Sequence, residues 1–426
     1  MERLDNSKLS PLQQRILEKM NDSHVKELAV VGGPGTGKTV LALSGMERGQ
    51  DKKQLLITYS RPLSQMINNC GVTSLTLHQF GYRIGLTVEN ELKDYSDRYI
   101  NGTETINDVI IKEYGYTNDR SWPPFRKLLA AYNRTCEKTK RELHYDTIFV
   151  DEGQDLPDEA YAFLKVFTDR LIVTYDEAQE VGTSGEVPAT VATVRSTGAN
   201  CNRILGVLNL QDSFYDLIDN FRNTVAIERV AKLFYRNYGA NRYSLREVAQ
   251  VRSDGSKREG EKPRVIFSAV TQKLISQIAD RAHQLSRSIG LILPDSDLRP
   301  GPDRDQFDLV KGLLEQAVTD ELLPRERLFY KFGGDTNMKE SDKTNGYGVF
   351  LLSYTASKGM EFDDVCLIDC QKCKLDTPSQ KNRMYIAATR AKDRLSFVFD
   401  CDRRQSCPVL QVINEHMDCF DIRGTL

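Results

Sequence analysis

The chain has 426 residues, room for two or three domains with sizeable cores. Its 58 Lys and Arg against 60 Asp and Glu leave a net charge of −2, which excludes a histone-like polycation and an acidic disordered chain but not a local basic groove. Hydrophobic residues at 40% beside 28% charged residues read as a globular protein. No apolar run reaches the ~18 residues of a membrane helix, and the nine scattered Cys read as reduced thiols.

In chain order, Leu9, Leu12, Ile16, Leu17 and Met20 recur at helical spacing. Glu27–Val31 is a short buried strand, and the glycine-rich stretch from Gly32 to Thr39 follows, leading into a second helical pattern. Further strand runs are Leu55–Thr58, Thr147–Val150, Leu171–Thr174, Arg264–Phe267, Ile289–Leu293, Leu328–Phe332, Val349–Tyr354, Val365–Asp369 and Leu395–Phe399. Helical patterns separate most of them, which predicts α/β architecture with parallel sheets covered on both faces. So many strands suit two similar lobes, expected over residues 1–195 and 196–426, with the break near the Gly/Ser/Thr-rich stretch 182–200. Residues 85–142 read as a small helical insertion in the first lobe, and 251–262 as a charged loop. The charged N-terminal residues carry no secretory pattern, so the expected location is cytoplasmic, with no membrane partner.

Gly32, Gly37, Lys38 and Thr39 fit G-x-x-x-x-G-K-[ST] between a strand and a helix. Such a loop turns backbone N–H groups toward phosphate oxygens, and the helix adds its positive end. Gly33, Pro34, Gly35, Thr36 and Gly37 would form the cradle, Lys38 would reach the β- and γ-phosphates, and Thr39 would sit on Mg²⁺. The second signal is Asp151-Glu152-Gly153-Gln154-Asp155 at the end of the strand Thr147–Val150. Asp151 is placed to hold Mg²⁺, and Glu152 to take a proton from an attacking water. The expected cofactors are therefore a nucleoside triphosphate and Mg²⁺, with the resemblance below implying ATP.

The stretch from Asp151 to Asp155 resembles the second motif of UvrD/Rep-type superfamily 1 helicases, and other stretches resemble the family's motifs in its order. Leu9–Gln13 resembles the Q-motif, Thr58–Arg61 motif Ia and Thr76–Phe80 motif Ib. Tyr175–Gln179 resembles motif III, Asn220–Thr224 motif IV, Thr355–Phe362 motif V and Tyr385–Lys392 motif VI. The resemblance implies two RecA-like P-loop NTPase lobes with one nucleotide between them. It implies that Gln13 reads the adenine edge, Phe221 stacks on the base, Glu361 binds the ribose and Gln179 senses the γ-phosphate. Arg222 and Arg390 would act as arginine fingers, a role worth ~10³–10⁵ in rate elsewhere.

For nucleic acid, the resemblance implies contacts from Thr58, Tyr59, Ser60, Arg61, His78, Phe80, Thr355 and Ser357, with hydroxyls and cations on phosphates and aromatics under bases. The implied activity is an ATP-driven helicase or translocase on single-stranded DNA, moving 3′ to 5′, with RNA left open. Three departures stand out. After Gln179 the chain continues Glu180-Val181-Gly182 with no aromatic residue, Val40 follows Thr39 where the family often has Arg, and the interval from Arg222 to Thr355 is too short for the family's large accessory insertion. The short interval implies a compact motor and Val40 a looser base selectivity, while the small size and the missing aromatic favour the alternative of a nucleotide- or DNA-sensing subunit that controls a partner nuclease in bacterial defence or repair. Cys366, Cys370, Cys373, Cys401 and Cys407 have metal-like spacing, but their place on and beside apolar strands reads as buried thiols.

Overall fold

The computed structural model describes residues 9–49, 52–58, 64, 68, 71–92, 122–176, 202–210, 214–217, 219–235, 258–294, 302–332, 335–338, 346–354, 356–400 and 406–423. They form two α/β lobes, each built on its own sheet. In the first lobe the strands are β1 (Glu27–Gly32), β2 (Gln54–Thr58), β3 (Ser74–Thr76), β4 (Thr147–Val150), β5 (Leu171–Tyr175) and β6 (Tyr215–Leu217). They lie in the order β3-β2-β4-β5-β1-β6, all parallel.

Both faces of this sheet are covered, and period-2 alternation sorts its residues. Ala29, Val31, Leu55, Ile57, Ile148 and Val150 face one core, while Leu28, Val30, Leu56 and Phe149 face the other. The helix Pro11–Asn21, opened by a Ser10–Gln13 capping box, buries Ile16, Leu17 and Met20 in the second of these cores. The helix Leu77–Leu92 runs into the region 85–142 read as an insertion, which also holds Phe125–Tyr132 and most of Glu137–Leu143, and these helices pack on the first core through Phe80, Ile84, Val88, Leu128 and Leu143.

The second lobe contains β7 (Arg264–Phe267), β8 (Ser288–Leu293), β9 (Leu328–Phe332), β10 (Asp335–Thr336), β11 (Gly348–Ser353), β12 (Phe362–Leu367), β13 (Ala391–Phe399) and β14 (Asp421–Arg423). Their order is β10-β9-β11-β8-β12-β13-β7-β14, parallel except for β10 against β9. Alternation again divides two cores: Ile292, Leu352, Leu367 and Phe397 on one side, Leu291, Leu351, Cys366 and Val398 on the other. Two parallel-sheet lobes of this kind are the predicted α/β class.

One expectation is corrected. The break between residues 195 and 196 falls inside the first lobe, because β6 pairs with β1 through Val30↔Tyr215 to Gly32↔Leu217. Ile204, Leu205 and Leu208, in and just after the helix Asn202–Val207, also belong to the first lobe's core. The second lobe's own core begins with the helix Val225–Phe234.

Candidate nucleotide site between the lobes

The glycine loop leaves β1 and enters the helix Lys38–Arg48. Gly35 and Gly37 take φ of +73° and +84°, a left-handed backbone open to glycine at little cost. A Cβ on Gly37 would lie 2.7 Å from Gln13 Nε2, and one on Gly35 would collide with Asn220 Oδ1. The loop is thus pinched between the N-terminal helix and the segment that opens the second lobe. Lys38 is buried, and its amine donates to Gly32 O at 2.8 Å and Gly33 O at 3.0 Å. Gln13 Nε2 donates to Thr36 O at 3.1 Å, which uses one of the amide's two N–H groups, while its Oε1 accepts from Ser10 N.

Asp151 emerges from β4 fully buried. Thr39 Oγ1 donates to one carboxylate oxygen at 2.5 Å, and Thr174 Oγ1, from β5, donates to the other at 2.6 Å. Burial and the adjacent Glu152 carboxylate raise Asp151 above its ordinary value, against the two hydroxyl bonds and the charge of Lys38. Glu152 sits at φ +57° and goes the other way. Burial disfavours its charge, yet Lys38, Lys358, a bond from Gln154 and Arg390 together hold it below the usual range. Gln154 Nε2 donates to Glu152 Oε2 at 2.5 Å, and its Oε1 accepts from Asp176 N at 2.8 Å. That amide ties Glu152 to the end of β5. Thr39 and Asp151 supply the hard oxygen donors that suit Mg²⁺. A divalent cation there would also supply the opposite charge that a buried, destabilised Asp151 carboxylate needs.

The second lobe closes over this arrangement. Phe221 N donates to Gly35 O at 2.8 Å. Asn220 Oδ1 caps the turn by accepting from Arg222 N and Asn223 N, and Asn223 Nδ2 reaches Thr389 O at 3.0 Å and Ala391 O at 2.5 Å. The Asn220–Asn223 turn is therefore bolted to the segment that carries Arg390. Arg222 Nε meets Glu361 Oε2 at 2.7 Å, and Lys392 Nζ meets the other oxygen at 3.2 Å. Partial burial favours the neutral acid at Glu361, but Arg222 and Lys392 hold its carboxyl below the ordinary value. Arg390 is 2% exposed, with Nε donating to Ile386 O at 2.9 Å and Nη1 to Met360 O at 3.2 Å. Burial and the neighbouring Arg222 lower its guanidinium to about 9, opposed by Glu152 and Glu361, so it stays cationic at neutral pH.

The residues brought together are Gln13, the loop Gly33–Thr39, Asp151, Glu152, Phe221, Arg222, Glu361 and Arg390. The expected nucleic-acid contacts fare differently. Phe80 is wholly buried among Tyr145, Phe163 and Phe167, because it shares the inner face of its helix with Ile84 and Val88. Ser357 is buried, its hydroxyl donating to Tyr354 O at 2.7 Å, and Thr58 is buried at the end of β2. These three side chains are corrected from strand contacts to interior positions. His78 is partly buried and stacks on Trp122, with ring centres 5.8 Å apart. Tyr59, Ser60, Arg61, Gln179 and Thr355 lie outside the described residues.

Residues given no role from the sequence also belong to the cleft. Gln154, Asp155, Lys358 and Tyr385 lie within the motif-like stretches, and Thr174 in an apolar strand run. Lys358, of the second lobe, forms an ion pair with Asp155 of the first. Cys366, Cys370, Cys373, Cys407 and Cys419 are buried free thiols, and burial pushes Cys366 up to about 12. Among the described residues no cluster of three or more His, Cys, Asp or Glu could hold a metal, and no helix is long and apolar enough to cross a membrane.

Residues 13–183 match a family described as an AAA domain. That span contains the glycine loop, Asp151 and Glu152. No curated protein matches the chain. Among solved structures, the C-terminal domain of a possible DNA helicase from Lactobacillus plantarum WCFS1 is similar at 15% identity and a TM-score of 0.31, covering 47% of this chain and 98% of that one.

Proposed function

We propose that the chain is an ATP hydrolase of the UvrD-like superfamily 1 type that moves on single-stranded DNA, 3′ to 5′. The observation that carries this reading is that Arg390 of the second lobe and Arg222, whose Cβ stands against Gly35, lie together beside the glycine loop and Glu152 of the first. The AAA-domain match over residues 13–183 supports nucleotide binding on the first lobe. In this reading Lys38 grips the β- and γ-phosphates, and the loop N–H groups cradle them. Thr39 and Asp151 would hold Mg²⁺, which would neutralise charge on the phosphates. Glu152 takes the proton of the attacking water, and Gln154 fixes its carboxylate. Arg222 and Arg390 stabilise charge that develops on the transferred γ-phosphoryl group as it passes to water. Gln13 and Phe221 hold the base, Glu361 the ribose, and Gln179 reports the γ-phosphate. Alternate closing and opening of the lobes would then ratchet the chain along a strand.

The interior positions of Phe80, Thr58 and Ser357 favour a second reading. They remove expected strand contacts, as a nucleotide-sensing subunit that controls a partner nuclease would allow.

Phosphate release, measured with and without single-stranded DNA, tests the first reading. The expected result is DNA-stimulated hydrolysis that falls by ~10³-fold or more in Arg390→Ala, in line with arginine fingers elsewhere. Lys38→Ala should be inactive yet folded. Hydrolysis in Lys38→Ala at the wild-type rate would refute the site. Hydrolysis that DNA leaves unchanged, with no ATP-dependent strand displacement, would favour the sensing subunit.

A further inference from the structure

Tyr385 belongs to the helix Pro378–Ala388, whose start is fixed by a Thr377–Gln380 capping box and whose Met384, Ala387 and Ala388 enter the second lobe's core. That packing leaves Tyr385 only partly buried. Its hydroxyl crosses to the first lobe and lies 3.9 Å from where a Cβ on Gly33 would stand. Gly33 is the loop residue whose carbonyl takes bonds from Lys38 Nζ at 3.0 Å and Thr36 Oγ1 at 2.8 Å. The phenol therefore stands over the phosphate cradle at Gly33, the residue whose carbonyl also takes a bond from the amine assigned to the terminal phosphates. Its ring leans on Tyr235, with centroids 5.2 Å apart. Among the described residues its hydroxyl makes no hydrogen bond, so its proton is uncommitted.

We infer that Tyr385 is a substrate-contacting residue whose hydroxyl donates a hydrogen bond to the terminal phosphate of a bound nucleoside triphosphate. The inference rests on the nucleotide site proposed above and adds a third group from the second lobe to Arg222 and Arg390. The donor role needs a protonated phenol. Burial, with Asp176, Tyr235 and Glu228 around it, raises Tyr385 well above its ordinary value, and Arg390 opposes this without reversing it. A group that reaches over the loop from the far lobe can distinguish a triphosphate from a diphosphate, because only the former extends toward it.

The test is Tyr385→Phe, which removes one oxygen and keeps the ring on Tyr235. Calorimetric titration with ATPγS and, separately, ADP, each with Mg²⁺, is paired with steady-state hydrolysis. Loss of a hydrogen bond to a charged group predicts ATPγS affinity about tenfold weaker, ADP affinity within about twofold, and kcat about tenfold lower. Equal weakening of both nucleotides would mark a packing role and overturn the inference. So would unchanged binding and turnover in the variant. If the wild-type protein binds neither nucleotide, the underlying site reading fails, and that outcome is distinct from a normal Tyr385→Phe in an active wild type.

Discussion

Lys358→Met is the substitution that most directly questions how the lobes are held together. Lys358 follows β11 in the second lobe, and Asp155 closes the turn after β4 in the first. Their side chains are 9% and 2% exposed, so the ion pair is shielded from water and crosses between the lobes. Methionine keeps most of the stem's volume and removes the charge. The buried Asp155 carboxylate then loses a cation, and so does Glu152, which Lys358 helps to hold in its charged form. Removing one partner of a buried pair costs about 3–5 kcal/mol, because the remaining charge stays desolvated. This cost falls on docking rather than on either core, since neither residue belongs to a hydrophobic cluster. At about 1.4 kcal/mol per tenfold, the ratio of docked to separated lobes should drop by between about 10² and about 4 × 10³. Small-angle X-ray scattering of the nucleotide-free protein should show an expanded population. The double substitution Asp155→Leu with Lys358→Met, which removes both charges, should restore much of the compact state, because an apolar pair avoids the desolvation cost. If Lys358→Met scatters like the wild type, or if the double variant is no more compact than the single, the pair is not what holds the cleft shut.

Two further substitutions separate packing from binding. Phe80→Ala should destabilise the first lobe by about 3–5 kcal/mol through the cavity it leaves, lowering the melting temperature while the folded fraction binds single-stranded DNA normally. A selective loss of DNA affinity at unchanged stability would return Phe80 to the strand-contacting set. Gly35→Ala forces a side chain onto a φ of +73° and against Asn220 Oδ1, so about 1–3 kcal/mol of strain should appear as loss of ADP binding in calorimetry. Normal ADP affinity in that variant would show that the loop does not need the second-lobe contact.

The sheets were legible because both faces of each are covered. A strand such as Leu171–Tyr175 is then buried at every position and mostly apolar, and such runs stand out from helical patterns. The misses are short elements at sheet edges. Among the described residues Tyr215-Asp216-Leu217 pairs with β1 alone and buries only Leu217, so backbone hydrogen bonds maintain it and three residues show no pattern. The lobe boundary was misplaced for the same reason, since a Gly/Ser/Thr-rich stretch is a stronger sequence signal than a three-residue strand. Phe80 is a different failure. Its spacing with Ile84 and Val88 is visible in the sequence, and it describes a core face more firmly than resemblance to a motif describes a binding face.

In the cleft, the legible residues are those whose roles depend on near neighbours in the chain. Lys38 needs only its own loop, and Asp151 needs only the end of its own strand. Tyr385 and Lys358 acquire roles only when two separate sheets dock, and no local pattern encodes that geometry. The consequence is electrostatic. On the first lobe alone, Glu152 would face the charge of Lys38 and the bond from Gln154, beside a competing Asp151. Lys358 and Arg390, which complete its stabilisation, arrive from the second lobe. A carboxylate that is to accept a proton must be charged beforehand, and burial opposes that charge. Under the proposed mechanism, closure therefore does more than bring fingers to phosphate. It supplies the positive field that keeps the base ionised while the same closure removes its water, so hydrolysis is tied to the docked state by the cost of burying Glu152.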